Sequence, residues 1–420
     1  MSGESSFTQP AASTRGRASA TGDLRPNIVF VTADQLGASA LGCYGSGVDS
    51  SPNLDALAAR GVRLDRFYAT CPICAPNRAT MLTGRSPVIH GIYHNNFLLP
   101  NDTPTYAQVL KHAGYATGGF GKFHQTPMWL KAPRDMSWLG FDESVISEDP
   151  KWESWIDWVK KTAPEHYETA LAMCWGGGRS RQGRSEEEQA LYKKVREEFM
   201  ARRKQETWHL AYASPLPAEL HDTSYITNLA LDYISRRGAS RGAGESALPG
   251  GTAGPGEAAT AAAPFFCHVS YVDPHDPYDP PEPYASMFKP QEMPPPIERT
   301  WSESIATLER SRDWNGFEEA SGNPQAMAEL RARFYGSIRF IDDQVARIIK
   351  ECETLDRPTI ILFSTDHGEM LGDHGLITKA VKPYDGGIRC PLIVAQVGGG
   401  TAGTSGDAAA GAAGAGAAGA

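Results

Sequence analysis

Residues 71–85 read Cys-Pro-Ile-Cys-Ala-Pro-Asn-Arg-Ala-Thr-Met-Leu-Thr-Gly-Arg, which sets a thiol, a proline and a guanidinium at fixed offsets: Cys74, Pro76 and Arg78. Pro76 suits the first position of a helix, because the amide it lacks would have no partner there. Gly84 suits the other end, where a left-handed residue closes the last turn. Cys74 then falls at the helix N-terminus, where unpaired amides and the macrodipole favour negative charge. Arg78 can turn back toward the same point, so a tetrahedral oxyanion would fit there. Cys71 and Cys74 also make a Cys-x-x-Cys, the spacing of half a zinc site or of a redox pair. No second such pair exists among the seven cysteines, which leaves structural zinc short of ligands. A redox pair leaves Pro76, Asn77 and Arg78 without a task.

The other residues able to do chemistry stand at the ends of apolar runs. Asp34 and Gln35 follow residues 28–32, Lys122 and His124 follow 115–121, His275 follows 264–272, and Asp366 and His367 follow 359–363. Hard oxygens and an imidazole from Asp34, Asp366 and His367 form a plausible set for a divalent cation. Arg78, Lys122 and Lys379 offer positive charge to a tetrahedral anion. His124 and His275 can carry protons near neutral pH. Singly, each has an ordinary reading. An aspartate after a strand caps a turn, a histidine among prolines is a surface or satisfied side chain, and Lys379 is a solvated lysine. It is their joint order along the chain that marks a site.

The elements that must position these residues follow from the hydrophobic pattern. Residues 28–32, Ile-Val-Phe-Val-Thr, suit a buried central strand. Ser51 as cap, Pro52, Leu54 and Leu57 with Gly61 as stop predict a helix, and Thr103, Pro104, Tyr106, Val109, Leu110 and Gly114 predict another. Residues 129–175 are rich in tryptophan and carry no clear period. Residues 185–207 predict a charged helix and 217–237 a helix with a better apolar face. The longest helix is expected over 327–352, with Leu330, Phe334, Ile338, Ile341, Val345, Ile348 and Ile349 on one stripe. A last strand is expected over 390–395. Strands alternate with helices throughout, so the fold class is α/β and layered, and ligands should sit beyond the carboxyl ends of the strands.

Residues 1–24 are polar and aperiodic and read as a disordered segment. Residues 25–395 read as one catalytic domain interrupted by a low-complexity insertion at 238–263, and 396–420 as a disordered Gly/Ala tail. A chain of 420 residues has ample length for such a core. With 40 basic and 49 acidic residues the net charge is −9, which argues against a general nucleic-acid binder and still permits a local basic pocket. No apolar run reaches membrane-spanning length and residues 1–24 lack the apolar core of a signal peptide, so no membrane partner and a cytoplasmic location are expected. An odd number of cysteines in a long chain does not read as a disulfide framework.

From Arg25 to Ala395 the order of motifs resembles the sulfatase family. The resemblance is carried by Arg25-Pro-Asn-Ile-Val-Phe-Val-Thr-Ala-Asp34-Gln35, by Ser51-Pro-Asn-Leu-Asp-Ala-Leu-Ala-Ala-Arg-Gly61, and by Cys74-x-Pro76-x-Arg78. It continues in Gly114-Tyr-Ala-Thr-Gly-Gly-Phe-Gly-Lys122-Phe-His124, Pro274-His275-Asp-Pro-Tyr278, Ser364-Thr-Asp366-His367-Gly-Glu-Met-Leu-Gly-Asp-His-Gly375 and Lys379. It implies a three-layer α/β/α fold, alkaline phosphatase-like, around a mixed, mostly parallel sheet. It implies that a formylglycine-generating enzyme oxidises Cys74 to formylglycine, whose hydrate binds the metal and attacks sulfur. Asp34, Asp366, His367 and residue 74 would hold one divalent ion, manganese or calcium. Arg78, Lys122 and Lys379 would stabilise charge, His275 would protonate the leaving alkoxide, and His124 would take the proton that expels sulfate. Asn95 and Gln35 would line the pocket.

Many members of that family pair Asp-Asp with Asp-Asn, an all-oxygen set suited to calcium. Here the pairs are Asp34-Gln35 and Asp366-His367, resembling the branch with choline sulfatases and phosphonate monoester hydrolases, and the imidazole moves the expectation toward manganese. The expected activity is hydrolysis of a small sulfate ester. A phosphonate monoester or phosphodiester hydrolase, and a catalytically impaired anion-binding relic, are the alternatives. The resemblance also implies a smaller C-terminal domain after the last strand, which residues 398–420 could not build; that domain is expected to be absent. An exposed apolar patch is then expected beside the last strands, unless a homo-oligomer covers it.

Overall fold

The computed structural model describes residues 23, 25–127, 136–152, 154–175, 184–203, 210–239, 263–298, 323–379 and 383–400. The β-branched run after Asn27 forms β1 (Asn27–Ala33) near the middle of a seven-stranded sheet. The chain then adds β2 (Val62–Arg63), β3 (Phe67–Tyr68), β4 (Ala116–Gly121), β5 (Glu143–Ile146), β6 (Phe265–Ser270), β7 (Thr359–Thr365), β8 (Arg389–Cys390) and β9 (Leu392–Val397). The large sheet runs in the order β2-β9-β7-β1-β6-β4-β5, and β3 pairs separately with β8. All pairings from β7 to β5 are parallel, whereas β9 runs antiparallel to both β7 and β2. The sheet is therefore mixed and mostly parallel.

Side chains of β1 alternate between two cores, as the period of a strand requires. Val29 and Val31 join the larger core, and Ile28 and Phe30 pack on the smaller. The larger core takes Leu54 and Leu57 from α1 (Pro52–Ala59) and the apolar stripe of the long helix introduced below. The smaller takes Ala75, Ala79 and Leu82 from α2 (Cys74–Thr83) and Ala107 from α3 (Tyr106–His112). Helices thus cover both faces, the architecture of a parallel sheet buried on two sides.

Several boundaries differ from expectation for local reasons. Helix α2 begins at Cys74, two residues before Pro76, because Ile73 is the last extended residue (φ −138°, ψ 135°). Helix α3 is capped by Thr105 rather than Thr103: the Thr105 side chain accepts from the Gln108 amide at 3.2 Å and the Gln108 side chain accepts from the Thr105 amide at 3.2 Å. That capping box satisfies two end amides at once. Pro391 divides the last strand into β8 and β9. The tryptophan-rich stretch holds β5, α4 (Ser154–Thr162) and α5 (Tyr167–Met173), with Trp155, Ile156 and Val159 buried. The charged helix is α6 (Glu186–Arg203), and α7 (Asp222–Gly238) starts after His221, later than expected. Helix α8 (Pro324–Glu353) buries every residue of its expected stripe.

Residues 1–22, 240–262 and 401–420 lie outside those described, and with them the expectations of disorder at the start, of most of the low-complexity insertion and of the tail. Among the described residues no helix is long and apolar enough to cross a membrane. Val62 and Leu64 are exposed at the β2 edge next to β9, and a larger group of exposed apolar side chains lies elsewhere, at Val88, Ile89, Tyr93, Phe97 and Leu98.

Strand β4 reads Ala-Thr-Gly-Gly-Phe-Gly, and its glycines make room for aromatic rings. A Cβ on Gly118 would lie 2.7 Å from the Tyr233 ring, and one on Gly119 2.7 Å from Phe123. Gly118→Ala should therefore destabilise the protein by about 1–3 kcal/mol through overpacking. Urea unfolding checks this; an unchanged midpoint would show that Tyr233 has room to move.

Candidate active site

Strands β1 and β7 are parallel neighbours with Ala33 opposite Thr365, so Asp34 and Asp366 leave the sheet side by side. Helix α2 delivers Cys74 at its first residue. Ligand atoms of Asp34, Cys74, Asp366 and His367 lie within 4.8 Å of one another, and all four residues are buried. The Cys74 Sγ is 3.2 Å from His367 Nε2 and 3.9 Å from Asp34 Oδ1. His367 Nδ1 is 3.1 Å from the Gly368 carbonyl, which can only accept a hydrogen bond. That carbonyl fixes the proton on Nδ1 and turns the Nε2 lone pair toward the thiol and Asp34, the orientation a metal-binding imidazole needs. Amides of His367 and Gln35 donate to Asp366 Oδ1 at 2.9 and 3.2 Å. Two carboxylates, a correctly turned imidazole and a fourth donor at position 74 fit a divalent cation.

Arg78 is placed differently from the sequence expectation. Its Nε donates to Asp366 Oδ2 at 2.7 Å and its Nη2 to Asp34 Oδ2 at 3.1 Å. Its Nη1 donates to the Lys122 carbonyl and to Ser270 Oγ, both at 2.8 Å. The guanidinium therefore bridges the two carboxylates instead of turning toward a bound anion. The fork matches them because it is planar and presents several donors at once. Lys122, fully buried, adds a contact of 2.5 Å to Asp34 Oδ2 and also pairs with Asp149. Burial and the Cys74 thiol push the Asp34 carboxyl up, but Lys122, Lys379 and His275 outweigh them and hold it below the usual carboxylate range. Burial likewise raises the Cys74 thiol, yet Lys122, Lys379 and His367 prevail and keep it well below the ordinary thiol value.

Lys379 Nζ donates to Cys74 Sγ at 3.0 Å and touches His275 Nε2. His275 Nδ1 lies 2.7 Å from the Asp276 carbonyl and 3.3 Å from its carboxylate. Burial and Lys379 disfavour a proton on His275, but Asp276, Asp34 and the contact with Cys74 push its pKa up to about 9. His124 is buried with φ +52°, and neither ring nitrogen has a hydrogen-bond partner. It is near enough to Cys74 to lower the thiol's pKa. Asn95, half-buried, accepts from the Ala75 amide at 3.1 Å, so it ties down the N-terminus of α2 beside Cys74. Gln35 (φ +65°) donates to Glu369 Oε2 at 2.7 Å, while its Oε1 is buried without a partner.

The structure thus gathers Asp34, Cys74, Arg78, Lys122, His124, His275, Asp366, His367 and Lys379, with Gln35 and Asn95 joined to them. Glu369, Glu148, Asp149 and Asp276 were missed. Glu369 accepts from the Leu371 amide at 3.0 Å and from the Thr378 amide, and its other oxygen takes Tyr278 Oη at 3.1 Å. It ties together the two ends of the loop that delivers Lys379. Glu148 accepts from the Phe123 and His124 amides at 3.1 and 2.8 Å and holds that turn. Glu369 and Asp276 stand next to singled-out residues and could have been suspected. Glu148 and Asp149 follow the short edge strand β5, where no period showed.

A model of the sulfatase family matches residues 26–215 and 255–408. An arylsulfatase of Clostridium perfringens is 26% identical over 396 residues, covering 89% of this chain and 69% of its own. A choline-sulfatase of Rhizobium meliloti is 25% identical over 385 residues, covering 89% of this chain and 63% of its own. The crystal structure of a phosphonate monoester hydrolase from Agrobacterium radiobacter shares the fold, with a TM-score of 0.63 at 23% identity over 88% of this chain and 68% of that one. The chain spans roughly two thirds of the length of these relatives.

The bridging role of Arg78 can be measured without turnover. In metal-stripped protein, Arg78→Ala should lose about 3–5 kcal/mol of stability, because it leaves two buried carboxylates short of a partner. Denaturant unfolding of both stripped proteins measures the difference; a loss below about 1 kcal/mol, the worth of a surface pair, would contradict it.

Proposed function

The chain belongs to the sulfatase family of sulfuric ester hydrolases, and from that premise we propose that it cleaves a small sulfate ester through a nucleophile made from Cys74. The products are inorganic sulfate and an alcohol. The observation that carries this reading is the Cys74 thiol at the head of α2, 3.2 Å from His367 Nε2 and 3.0 Å from Lys379 Nζ. The sulfur marks where the oxygens of formylglycine would stand after a separate maturation enzyme has acted. Asp34, Asp366, His367 and residue 74 would hold one divalent cation, which when bound withdraws charge from the ester and acidifies the attacking hydroxyl. The imidazole in that set favours manganese over calcium.

The remaining work falls to the chain's own groups. Arg78 and Lys122 hold Asp34 and Asp366 in place, a positioning role. Lys379, which donates to Cys74 Sγ, faces the anion and stabilises charge that grows on it. His275, protonated at neutral pH, gives its proton to the departing alkoxide. His124, with no competing hydrogen bond, takes a proton from residue 74 in the step that releases sulfate. Asn95 fixes the start of α2, and Gln35 Oε1 offers an acceptor toward the substrate. A second reading, hydrolysis of phosphonate monoesters, is favoured by the Gln35 and His367 pair, because the same cation set and cradle accept either tetrahedral group.

Two measurements bear on these roles. With an alkyl sulfate, whose leaving group needs a proton, turnover should fall on the alkaline side as His275, whose proton the neighbouring Asp276 helps to hold, becomes neutral. His275→Ala should remove that limb and cost about 10²–10⁴-fold, with a much smaller loss on an activated aryl sulfate. Equal losses on both esters would count against a general acid. Chelation should abolish turnover and manganese should restore it better than calcium; a strict calcium requirement would overturn the reading of His367.

A further inference from the structure

The segment 273–279, Asp-Pro-His-Asp-Pro-Tyr-Asp, carries His275 between two aspartates that the chemistry above does not use. Asp273 and Asp279 are 4% and 3% exposed, and His221, which caps α7, is 1% exposed. One ring nitrogen of His221 and one carboxylate oxygen from each aspartate lie within 4.8 Å of one another. Asp279 Oδ1 and His221 Nε2 are buried with no hydrogen-bond partner, as is Oδ2 of neighbouring Asp222. The companion oxygens are well held. Tyr212 Oη donates to Asp279 Oδ2 at 3.2 Å, Thr223 Oγ1 to Asp273 Oδ2 at 2.6 Å, and Ser147 Oγ to Asp222 Oδ1 at 2.6 Å.

A buried carboxylate oxygen without a donor is costly, and three carboxylates in one dry place repel each other. The cations nearby are Lys151, buried and held in its charged form by Asp279, Asp273 and Asp222, one ammonium against three carboxylates, and Arg203, which stacks on Tyr212. Neither is bonded to the orphaned atoms of Asp279 and His221. We propose that His221, Asp273 and Asp279 bind a second divalent cation, separate from the one at Cys74, which clamps both ends of the loop bearing His275. Two carboxylates and an imidazole, completed by water, suit manganese or zinc. The clamp reaches the first site through the backbone, since the Asp273 carbonyl accepts the Asp34 amide at 3.2 Å. The ion positions His275 and does not itself touch the substrate. Its existence does not depend on the chemistry at Cys74.

The test strips the full chain with a chelator, reloads it with Mn²⁺ alone or Zn²⁺ alone, removes free metal and counts the bound ion by elemental analysis. Wild type should hold two equivalents with at least one of these ions. Asp366→Asn should hold one, because it damages only the first site. His221→Ala and Asp279→Asn should each also hold one. A single equivalent in wild type with both ions, lost again in Asp366→Asn, would overturn the proposal and leave Lys151 as the cation of the cluster. Two equivalents retained in both His221→Ala and Asp279→Asn would overturn it as well. Should neither variant fold, the counts on wild type and Asp366→Asn decide: two and one support the second site, one and none refute it.

Discussion

Everything at this site depends on holding two carboxylates side by side in a place without water. Unit charges 4 Å apart interact by about 4 kcal/mol at the effective dielectric of a protein, so Asp34 and Asp366 would repel strongly if left alone. The Arg78 fork answers this with one donor on each, at 3.1 and 2.7 Å. Lys122 adds a second cation on Asp34. The pairing of β1 with β7 brings the aspartates together, and α2 supplies both the guanidinium that makes this tolerable and the thiol that uses the result. A single helix thus supplies the buried thiol of Cys74 and the clamp of Arg78, four residues apart.

The surrounding acids act at one remove. Glu369 ties down the loop carrying Lys379, Glu148 holds the turn of His124, and Asp149 anchors Lys122. Each accepts hydrogen bonds from groups that would otherwise be buried without partners, so each stabilises the fold while fixing a side chain of the site. The two histidines differ in their surroundings. His275 sits against Asp276 and keeps its proton, whereas His124 has no partner on its ring.

Much of this was legible in the sequence, and for physical reasons. Strands end in polar residues where ligands gather, so Asp34, Asp366 and His367 could be named from their place after apolar runs. The stripe of α8 is long enough for its period to be unmistakable. What could not be read was the direction of a side chain. The spacing put Arg78 near Cys74 but could not say that its guanidinium faces the carboxylates, because those partners come from β1 and β7, far away in the sequence. Thr105 displaced Thr103 as a cap because Gln108 completes a reciprocal pair, a local competition between two plausible caps. Glu148 and Asp149 follow a four-residue edge strand, too short to show a period.

The account turns on residue 74 being the precursor of the nucleophile within this cradle. The most direct measurement produces the protein with graded amounts of the maturation enzyme, reads the fraction of residue 74 converted from thiol to aldehyde by peptide mass analysis, and compares it with the rate on an aryl sulfate. The rate should rise in proportion to the converted fraction and extrapolate to nothing for the unconverted thiol. Full turnover by protein that still carries the thiol would contradict the account, as would complete conversion with no turnover.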